Sequence, residues 1–88
     1  IEKRLPIINK LGLHARAAIK LVQLTASYQA TIMVSNEEKE ASADSVMGLL
    51  MLEAAQGSSI HVTCEGPDAE AVMDAVEQLV AARFEEAE

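Results

Sequence analysis

The residue of this chain with the clearest chemical potential is His14, which lies in a basic stretch without acidic residues. The sequence has 14 acidic residues in all, yet none of them falls between positions 3 and 36. Five of its seven basic residues lie in that stretch: Lys3, Arg4, Lys10, Arg16 and Lys20. Because a nearby carboxylate would repel an anion, this distribution predicts that His14 handles an anion.

Gly12 interrupts the chain just before His14, and residues 15 to about 27 have the spacing and composition of a helix. His14 is therefore expected at or beside a helix N-terminus, where free backbone N–H groups and the helix dipole favour an anion. Arg16 adds a guanidinium that matches phosphate oxygens. A neutral imidazole is a nucleophile, so the pair has the chemistry to attack a phosphoryl donor and hold a phosphohistidine. The alternative left open is a histidine that only caps the helix, with Arg16 in solvent.

The composition fits a single small domain, residues 1–88, with an aliphatic core. Only 2% of the residues are aromatic, and the net charge of −7 argues against general nucleic-acid binding. The single cysteine, Cys64, cannot form an internal disulfide and suits a reducing compartment. With no long apolar run and no signal-peptide pattern, we expect a soluble cytoplasmic protein that does not enter a membrane. The two histidines have no cysteine or carboxylate at ligand spacing, so we expect neither a metal site nor a cofactor.

Hydrophobic periodicity predicts elements in the order β-α-β-β-α-β-α. The predicted strands cover residues 4–8, 30–35, 39–43 and 60–65, and Pro6 marks the first of them as an edge strand. The predicted helices cover residues 15 to about 27, 46 to about 55 with Ser45 as N-cap, and 69–83 with Asp68 as N-cap. The expected class is α+β, with helices on one face of a mostly antiparallel sheet.

Two segments of the sequence resemble one known family. Residues 9–16, Asn-Lys-Leu-Gly-Leu-His-Ala-Arg, look like the phosphorylation-site motif of HPr, the histidine-containing phosphocarrier of the phosphoenolpyruvate-dependent phosphotransferase system. Residues 44–52, Asp-Ser-Val-Met-Gly-Leu-Leu-Met-Leu, resemble the family's second segment, around its regulatory serine. The resemblance implies an open-faced β-sandwich, in which three helices cover one face of a four-stranded antiparallel sheet with the strand order 1-4-2-3.

The resemblance also implies roles for individual residues. His14 would accept a phosphoryl group on Nδ1 from enzyme I and pass it to an EIIA-type protein, with Arg16 as its charge partner. Ala15 and Ala17 would support the phosphate, and Ala17 stands where most members have proline, which leaves one more backbone amide as a donor. The implied protein is a monomeric phosphoryl carrier rather than a stand-alone enzyme.

Ser45 matches the serine that a dedicated HPr kinase modifies in some members of the family. Ala43 and Asp44 precede it where kinase-regulated members usually have Gly-Lys. Because Ser45 is also a natural N-cap, a structural role and a regulatory role both remain open. Residues 49–55, Leu-Leu-Met-Leu-Glu-Ala-Ala, look closer to the nitrogen-related branch, often called NPr, than to the sugar-transport branch.

The predicted second helix is apolar nearly all round, so one core cannot bury all of its side chains. The residues expected to face the core are Val46, Leu49 and Leu52. A docking surface for partner proteins is expected from Met47, Leu50 and Met51, with Lys20 and Arg16 steering acidic partners.

The remaining polar positions have ordinary structural interpretations. His61 is expected to be exposed, Cys64 to lie in the core, and the acidic tail, residues 85–88, to be a solvated and frayed end. Two other function classes stay open beside the carrier. One is a small acyl-phosphate hydrolase that would use Asn9 and Arg16, although it lacks an obvious general base and a Gly-rich phosphate cradle. The other is a regulatory module that binds a partner without chemistry.

Overall fold

The computed structural model of this chain describes residues 1–87. Its strands are β1 (Glu2–Pro6), β2 (Thr31–Ser35), β3 (Glu40–Ser42) and β4 (Ser59–Glu65), and its helices are α1 (Ala15–Thr25), α2 (Val46–Leu50) and α3 (Ala69–Ala81). A short 3₁₀ turn, Arg83–Glu85, follows α3. The order β1-α1-β2-β3-α2-β4-α3 is the order that the sequence predicts.

The strands form one antiparallel sheet with the order β1-β4-β2-β3. β4 lies in the middle, where Thr63 pairs with Glu2 of β1 on one side and with Met33 of β2 on the other. β1 is an edge strand, as Pro6 predicted, and an edge tolerates proline because part of its backbone has no ladder partner. The predicted α+β fold and strand order are confirmed.

The helices pack on one face of the sheet because the side chains of its strands alternate between apolar and polar. In β4, Ile60 and Val62 are buried, whereas His61 between them is exposed. The core is aliphatic, and its fully buried side chains include Ile7, Leu21, Val34, Leu49, Val72 and Val76. Burying one such side chain contributes about 1.5–3 kcal/mol, so the stacking of helices on sheet is the main source of stability.

The predicted second helix is wrong at its C-terminal end, because α2 stops at Leu50 rather than near residue 55. Glu53 has a positive φ of 52°, which ends the helical path. Beyond it the chain turns inward, so that Ala54 is buried and its carbonyl accepts a hydrogen bond from Leu13 N at 2.8 Å. Tertiary contacts with the loop before α1 thus override a local helical preference.

Other local predictions also differ from the structure, since α1 ends at Thr25 rather than near residue 27 and α3 ends at Ala81 rather than at residue 83. β1 begins and ends two residues earlier than predicted, since Ile7 leaves the ladder and exchanges backbone hydrogen bonds with the turn at residues 57–58 instead. Asp68 is at the N-cap position of α3, but its carboxylate makes no capping bond. It accepts from the backbone N–H of Gln29 at 2.7 Å, and so connects the start of α3 to the chain before β2.

The chain after α3 makes a left-handed turn. Arg83, Phe84 and Glu85 have φ values of 58°, 53° and 65°, a region that side chains with a Cβ disfavour. Phe84 is fully buried in the core, which holds the turn in place. The turn sends the following residue, Glu86, back toward the beginning of α1.

The longest helix of the described chain is α3, with 13 residues. A membrane span needs about 20 apolar residues. No helix within residues 1–87 is long and apolar enough to span a bilayer. In those same residues, no three His, Cys, Asp or Glu side chains come together as a potential metal site.

Candidate functional site

The loop between β1 and α1 is held in place by the segment after α2. Leu13 N donates to Ala54 O at 2.8 Å, and Gly12 N donates to Asn9 O at 3.2 Å. Gly12 has a φ of 67°, and a Cβ at this position would lie 2.4 Å from Ala54 O, so only glycine fits. These contacts fix the loop and thereby hold His14 at the start of α1.

His14 is the N-cap of α1, with extended backbone angles (φ −85°, ψ −179°). Its Nδ1 accepts a hydrogen bond from the backbone N–H of Arg16 at 3.2 Å. Since that amide can only donate, Nδ1 is unprotonated, and the proton of the neutral ring is on Nε2. The helix cap that the sequence left open as an alternative is present. It also leaves the Nδ1 lone pair facing the helix N-terminus, where anions are favoured.

Glu86, in the C-terminal segment, contacts the other nitrogen of the same ring. His14 Nε2 lies 2.5 Å from Glu86 Oε2, and the two side chains are only 24% and 15% exposed. The other carboxylate oxygen, Oε1, accepts from Asn9 Nδ2 at 2.8 Å. The expectation of a solvated tail is wrong for Glu86, which places a carboxylate beside His14 although the sequence around His14 has no acidic residue. Glu88 lies outside the described residues.

The surroundings of Glu86 favour its ionised form. Desolvation works against the charge, but the hydrogen bonds from Asn9 and His14 and the positive charge of Arg16 outweigh it and lower the pKa of Glu86 below its usual value. Glu86 is therefore a carboxylate at neutral pH. Since a carboxylate only accepts hydrogen bonds, its contact with His14 places a proton on Nε2.

Asn9 is fully buried and orients Glu86. Its Nδ2 also donates to Gly12 O at 2.8 Å, and because both neighbours are acceptors, the amide nitrogen must face them. Its Oδ1 is buried without a hydrogen-bond partner within residues 1–87. Both N–H hydrogens of Asn9 are thus used inside the protein. This geometry argues against the hydrolase alternative, in which Asn9 would orient an attacking water.

Arg16 and Ala15 are exposed on the first turn of α1, whereas Ala17 is buried. The positive charge of the Arg16 guanidinium acts on the carboxylate of Glu86, whose pKa it helps to lower. The guanidinium thus favours negative charge at this end of the helix. The backbone amides of Ala15 and Ala17 belong to the same turn, whose N–H groups have no acceptor within the helix.

Lys20 makes a structural contact that the sequence did not predict. Its Nζ donates to Phe84 O at 2.9 Å and lies 4.0 Å from a carboxylate oxygen of Glu85. Lys20 therefore ties α1 to the 3₁₀ turn that precedes Glu86. The steering of acidic partners by Lys20 stays a prediction.

Exposed apolar side chains lie on the elements around His14. Met47 and Met51 are 68% and 58% exposed, whereas Leu50 is half-buried against the core. The sequence did not single out two further members, Leu11 in the loop before His14 and Ile19 on α1, which are 68% and 44% exposed. α1, which carries Ile19, packs against α2, which carries Met47. We call Leu11, Ile19, Met47 and Met51 the apolar patch.

The core-facing residues follow the prediction, since Leu49 in α2 and Leu52 just after it are buried and Val46 is partly buried against the core. Ser45 is the N-cap of α2, and its Oγ accepts from Gly48 N at 3.0 Å. This structural role explains a serine at position 45 without any modification.

The remaining polar positions lie outside the His14 site. His61 is exposed on the open face of the sheet, where its Nε2 lies 2.8 Å from a carboxylate oxygen of Glu2. Cys64 is buried, and burial raises the pKa of its thiol. A buried thiol of raised pKa is a poor nucleophile, so Cys64 is a core residue as predicted.

The fold and the site define a class of small α+β proteins that hold a histidine, with an unprotonated ring nitrogen, at a helix N-terminus. A sequence model of one such family, described as "PTS HPr component phosphorylation site", matches residues 1–82. The chain therefore belongs to the HPr family of phosphocarrier proteins of the phosphotransferase system.

Individual relatives agree with this family. The chain is 51% identical over 87 residues to the phosphocarrier protein NPr of Shewanella violacea, an alignment that covers 99% of this chain and 96% of the relative. It is 42% identical over 88 residues to the phosphocarrier protein HPr of Cupriavidus necator, with 100% and 99% covered. The crystal structure of HPr-C-His from Thermoanaerobacter tengcongensis is similar with a TM-score of 0.94 at 34% identity, covering 100% of this chain and 99% of that one.

Proposed function

We propose that this chain carries a phosphoryl group on His14 Nδ1, accepting it from enzyme I and handing it to an EIIA-type protein. The observation that carries the proposal is the Nδ1 lone pair, which faces the N-terminus of α1 and accepts from Arg16 N at 3.2 Å. A lone pair in this position can act as a nucleophile. The backbone N–H groups beside it can donate hydrogen bonds to the oxygens of the phosphoryl group that it would receive.

The transfer step forms one bond and breaks one. The Nδ1 lone pair attacks phosphorus as the bond between phosphorus and the donor's leaving atom breaks, and that electron pair stays with the donor. The charge on the transferred oxygens is met by the first-turn amides, including those of Ala15 and Ala17, and by the guanidinium of Arg16. Onward transfer is the same step with His14 as the leaving group.

The apolar patch is the proposed docking surface for both partners. A carrier must meet a donor and an acceptor in turn with the same histidine exposed, and must leave each of them quickly. Flexible methionines such as Met47 and Met51 supply contact area without a fixed geometry, which suits a surface that meets more than one partner. Leu50 is half-buried and so contributes chiefly by supporting these side chains.

The nitrogen-related branch is the more specific assignment that we propose. Support comes from residues 49–55, Leu-Leu-Met-Leu-Glu-Ala-Ala, which resemble that branch, and from the NPr of Shewanella violacea, to which the chain is 51% identical. Parallel phosphorylation assays with enzyme I of the nitrogen-related branch and enzyme I of the sugar-transport branch test this assignment. A faster reaction with the sugar-transport enzyme would overturn it.

The carrier function is tested by incubating the protein with labelled phosphoenolpyruvate and enzyme I. We expect one acid-labile, base-stable label, as for a phosphoramidate, which disappears in His14→Ala and persists in His61→Ala. His61 is the matched control because it is the other histidine of the chain and also lies beside a glutamate, Glu2. Label that survives in His14→Ala, or that is lost in His61→Ala, would contradict the proposal.

A further inference from the structure

We infer that Glu86 is a positioning residue for phosphoryl transfer, which holds the ring proton of His14 on Nε2 so that Nδ1 reacts. The inference rests on the proposed function and concerns a residue beyond position 82, where the family match ends. It is carried by the contact of 2.5 Å between His14 Nε2 and Glu86 Oε2, made by two side chains that are both largely shielded from solvent.

The two ring nitrogens of His14 have opposite hydrogen-bond partners. Nδ1 faces a donor, the backbone N–H of Arg16, and Nε2 faces an acceptor, the carboxylate of Glu86. A neutral imidazole carries one ring proton, and only the Nε2–H tautomer satisfies both partners. The opposite tautomer would place a hydrogen against an amide hydrogen and a lone pair against a carboxylate. Glu86 therefore selects the form of His14 in which Nδ1 is the nucleophile.

The charge balance of the reaction gives Glu86 a second effect. When Nδ1 forms its bond to phosphorus, Nε2 keeps its proton and the ring acquires a positive charge. The carboxylate of Glu86 lies against that proton and stabilises the charged ring. For onward transfer the N–P bond breaks and its electron pair returns to Nδ1, which restores the neutral Nε2–H ring. Glu86 thus needs no proton transfer of its own in either direction.

The backbone just before Glu86 has an unusual conformation that places the Glu86 side chain beside His14. Arg83, Phe84 and Glu85 form three consecutive residues with positive φ, a conformation that persists only where surrounding contacts impose it. Phe84 is fully buried, and its carbonyl accepts from Lys20 Nζ at 2.9 Å. A buried side chain and a hydrogen bond from α1 therefore hold the turn immediately before Glu86.

Asn9 fixes the carboxylate itself. Its Nδ2 donates to Glu86 Oε1 at 2.8 Å, and the same amide is anchored on Gly12 O. The loop that positions His14 thus also positions Glu86. In Glu86→Gln, the side-chain carbonyl oxygen accepts the hydrogen bond from Asn9 Nδ2. The new NH₂ group therefore faces Nε2 of His14. This variant therefore favours the wrong tautomer without removing the side chain.

The test is Glu86→Gln, with Glu85→Gln as a control that removes the same charge from the exposed neighbouring residue. Two-dimensional ¹⁵N NMR of the free proteins, at a pH where the ring is neutral, reports which nitrogen of His14 carries the proton. Phosphorylation by enzyme I gives the transfer rate. We expect an Nε2–H ring in the parent protein, a shift toward Nδ1–H in Glu86→Gln, and transfer slower by about 10-fold. Glu85→Gln should match the parent in both measurements.

The two readouts separate this inference from the proposed function. An unchanged tautomer in Glu86→Gln, an unchanged transfer rate, or an equal loss in Glu85→Gln would overturn the role of Glu86 while leaving His14 as the acceptor. Failure of the parent protein to be phosphorylated on His14 would instead overturn the carrier function. The tautomer is measured without any partner, so it reports on the contact even then. Partial recovery of the rate in Glu86→Asp, relative to Glu86→Gln, is expected because the negative charge returns.

Discussion

At the scale of single residues, the chemistry of the site depends on the two hydrogen-bond partners of the His14 imidazole. Nδ1 of His14 faces the amide of Arg16, and Nε2 faces Glu86. Either contact alone would favour one tautomer, but together they leave a reactive nitrogen on the side where anions are favoured. Arg16 is two residues after His14 in the sequence and is exposed. This suits a guanidinium that would bind the phosphoryl group only transiently.

Replacing Arg16 by alanine tests whether its charge acts on the phosphate. We expect Arg16→Ala to slow phosphorylation by enzyme I by about 10-fold, or about 1.4 kcal/mol in barrier, because one positive charge is lost beside the transferred oxygens. The melting temperature should hardly change, since a cation near a helix N-terminus is mildly unfavourable. Lys39→Ala removes an equal charge from an exposed position in the turn before β3 and serves as the control. A fully active Arg16→Ala protein would contradict the assigned role.

At the scale of elements, α2 combines a structural and an exposed side in only five residues. A helix this short is not stable by itself, so it depends on the cap at Ser45 and on the burial of Leu49. With its inner side fixed in this way, α2 presents Met47 to solvent.

An acidic side chain in the apolar patch tests the docking surface. Met47→Glu should slow transfer both from enzyme I and to the EIIA-type partner, because a charge would have to be desolvated at the interface. The domain should stay folded, since Met47 is 68% exposed. Ala71→Glu introduces the same charge on the exposed side of α3 and should leave both rates unchanged. Equal rates for Met47→Glu and the parent protein would exclude α2 from the interface.

The left-handed turn after α3 makes a separate prediction about stability. Arg83 is exposed and has a φ of 58°, a conformation that glycine adopts without the clash of a Cβ. Arg83→Gly should therefore stabilise the protein by about 1 kcal/mol, or about 4–8 °C in melting temperature. Ala82→Gly is the control, because Ala82 has an ordinary φ of −84° and gains nothing from glycine. A fall in melting temperature for Arg83→Gly would show that the turn is not left-handed in solution.

At the scale of the whole molecule, the C-terminal segment packs against the N-terminal part of the chain. The last described segment crosses from the end of α3 to the start of α1, where Lys20 and Asn9 hold it and Glu86 completes the site. The protein has a net charge of −7, yet most of its basic residues belong to the N-terminal part of the chain. One carboxylate from the acidic C-terminal part is thus placed among basic groups, where its ionised form is stabilised.

This placement links global stability to pH. Because the folded protein lowers the pKa of Glu86, ionised Glu86 stabilises the fold above the usual glutamate pKa of about 4.3, and this contribution is lost as the pH falls through the lower folded value. Chemical denaturation should show the parent protein as more stable than Glu86→Gln at neutral pH, with the difference narrowing in acid. The exposed control Glu85→Gln should show no such gap at neutral pH. A difference that stays constant into acid would contradict the stabilised carboxylate.

Much of this architecture is readable in the sequence because it depends on short-range patterns. Alternation in residues 60–65 and helical spacing after Ala15 predict elements that the structure confirms, and Gly12 and His14 mark the start of α1. The length of α2 was not predictable in this way. Residues 51–55 have a helical composition, but the pairing of Ala54 O with Leu13 N draws them away from the helix. A composition cannot express a contact with a residue some forty positions earlier in the chain.

The sequence by itself determined the order of elements, the family motif and the position of His14 at a helix N-terminus, since each depends on neighbouring residues. Only the tertiary structure decided what surrounds the ring. Glu86 is 72 positions from His14 and belongs to a tail whose composition is typical of a solvated end. It reaches the site because burial of Phe84 stabilises a left-handed turn that local preferences disfavour. Burial of Phe84 requires the assembled core, so the turn is stabilised only in the folded chain.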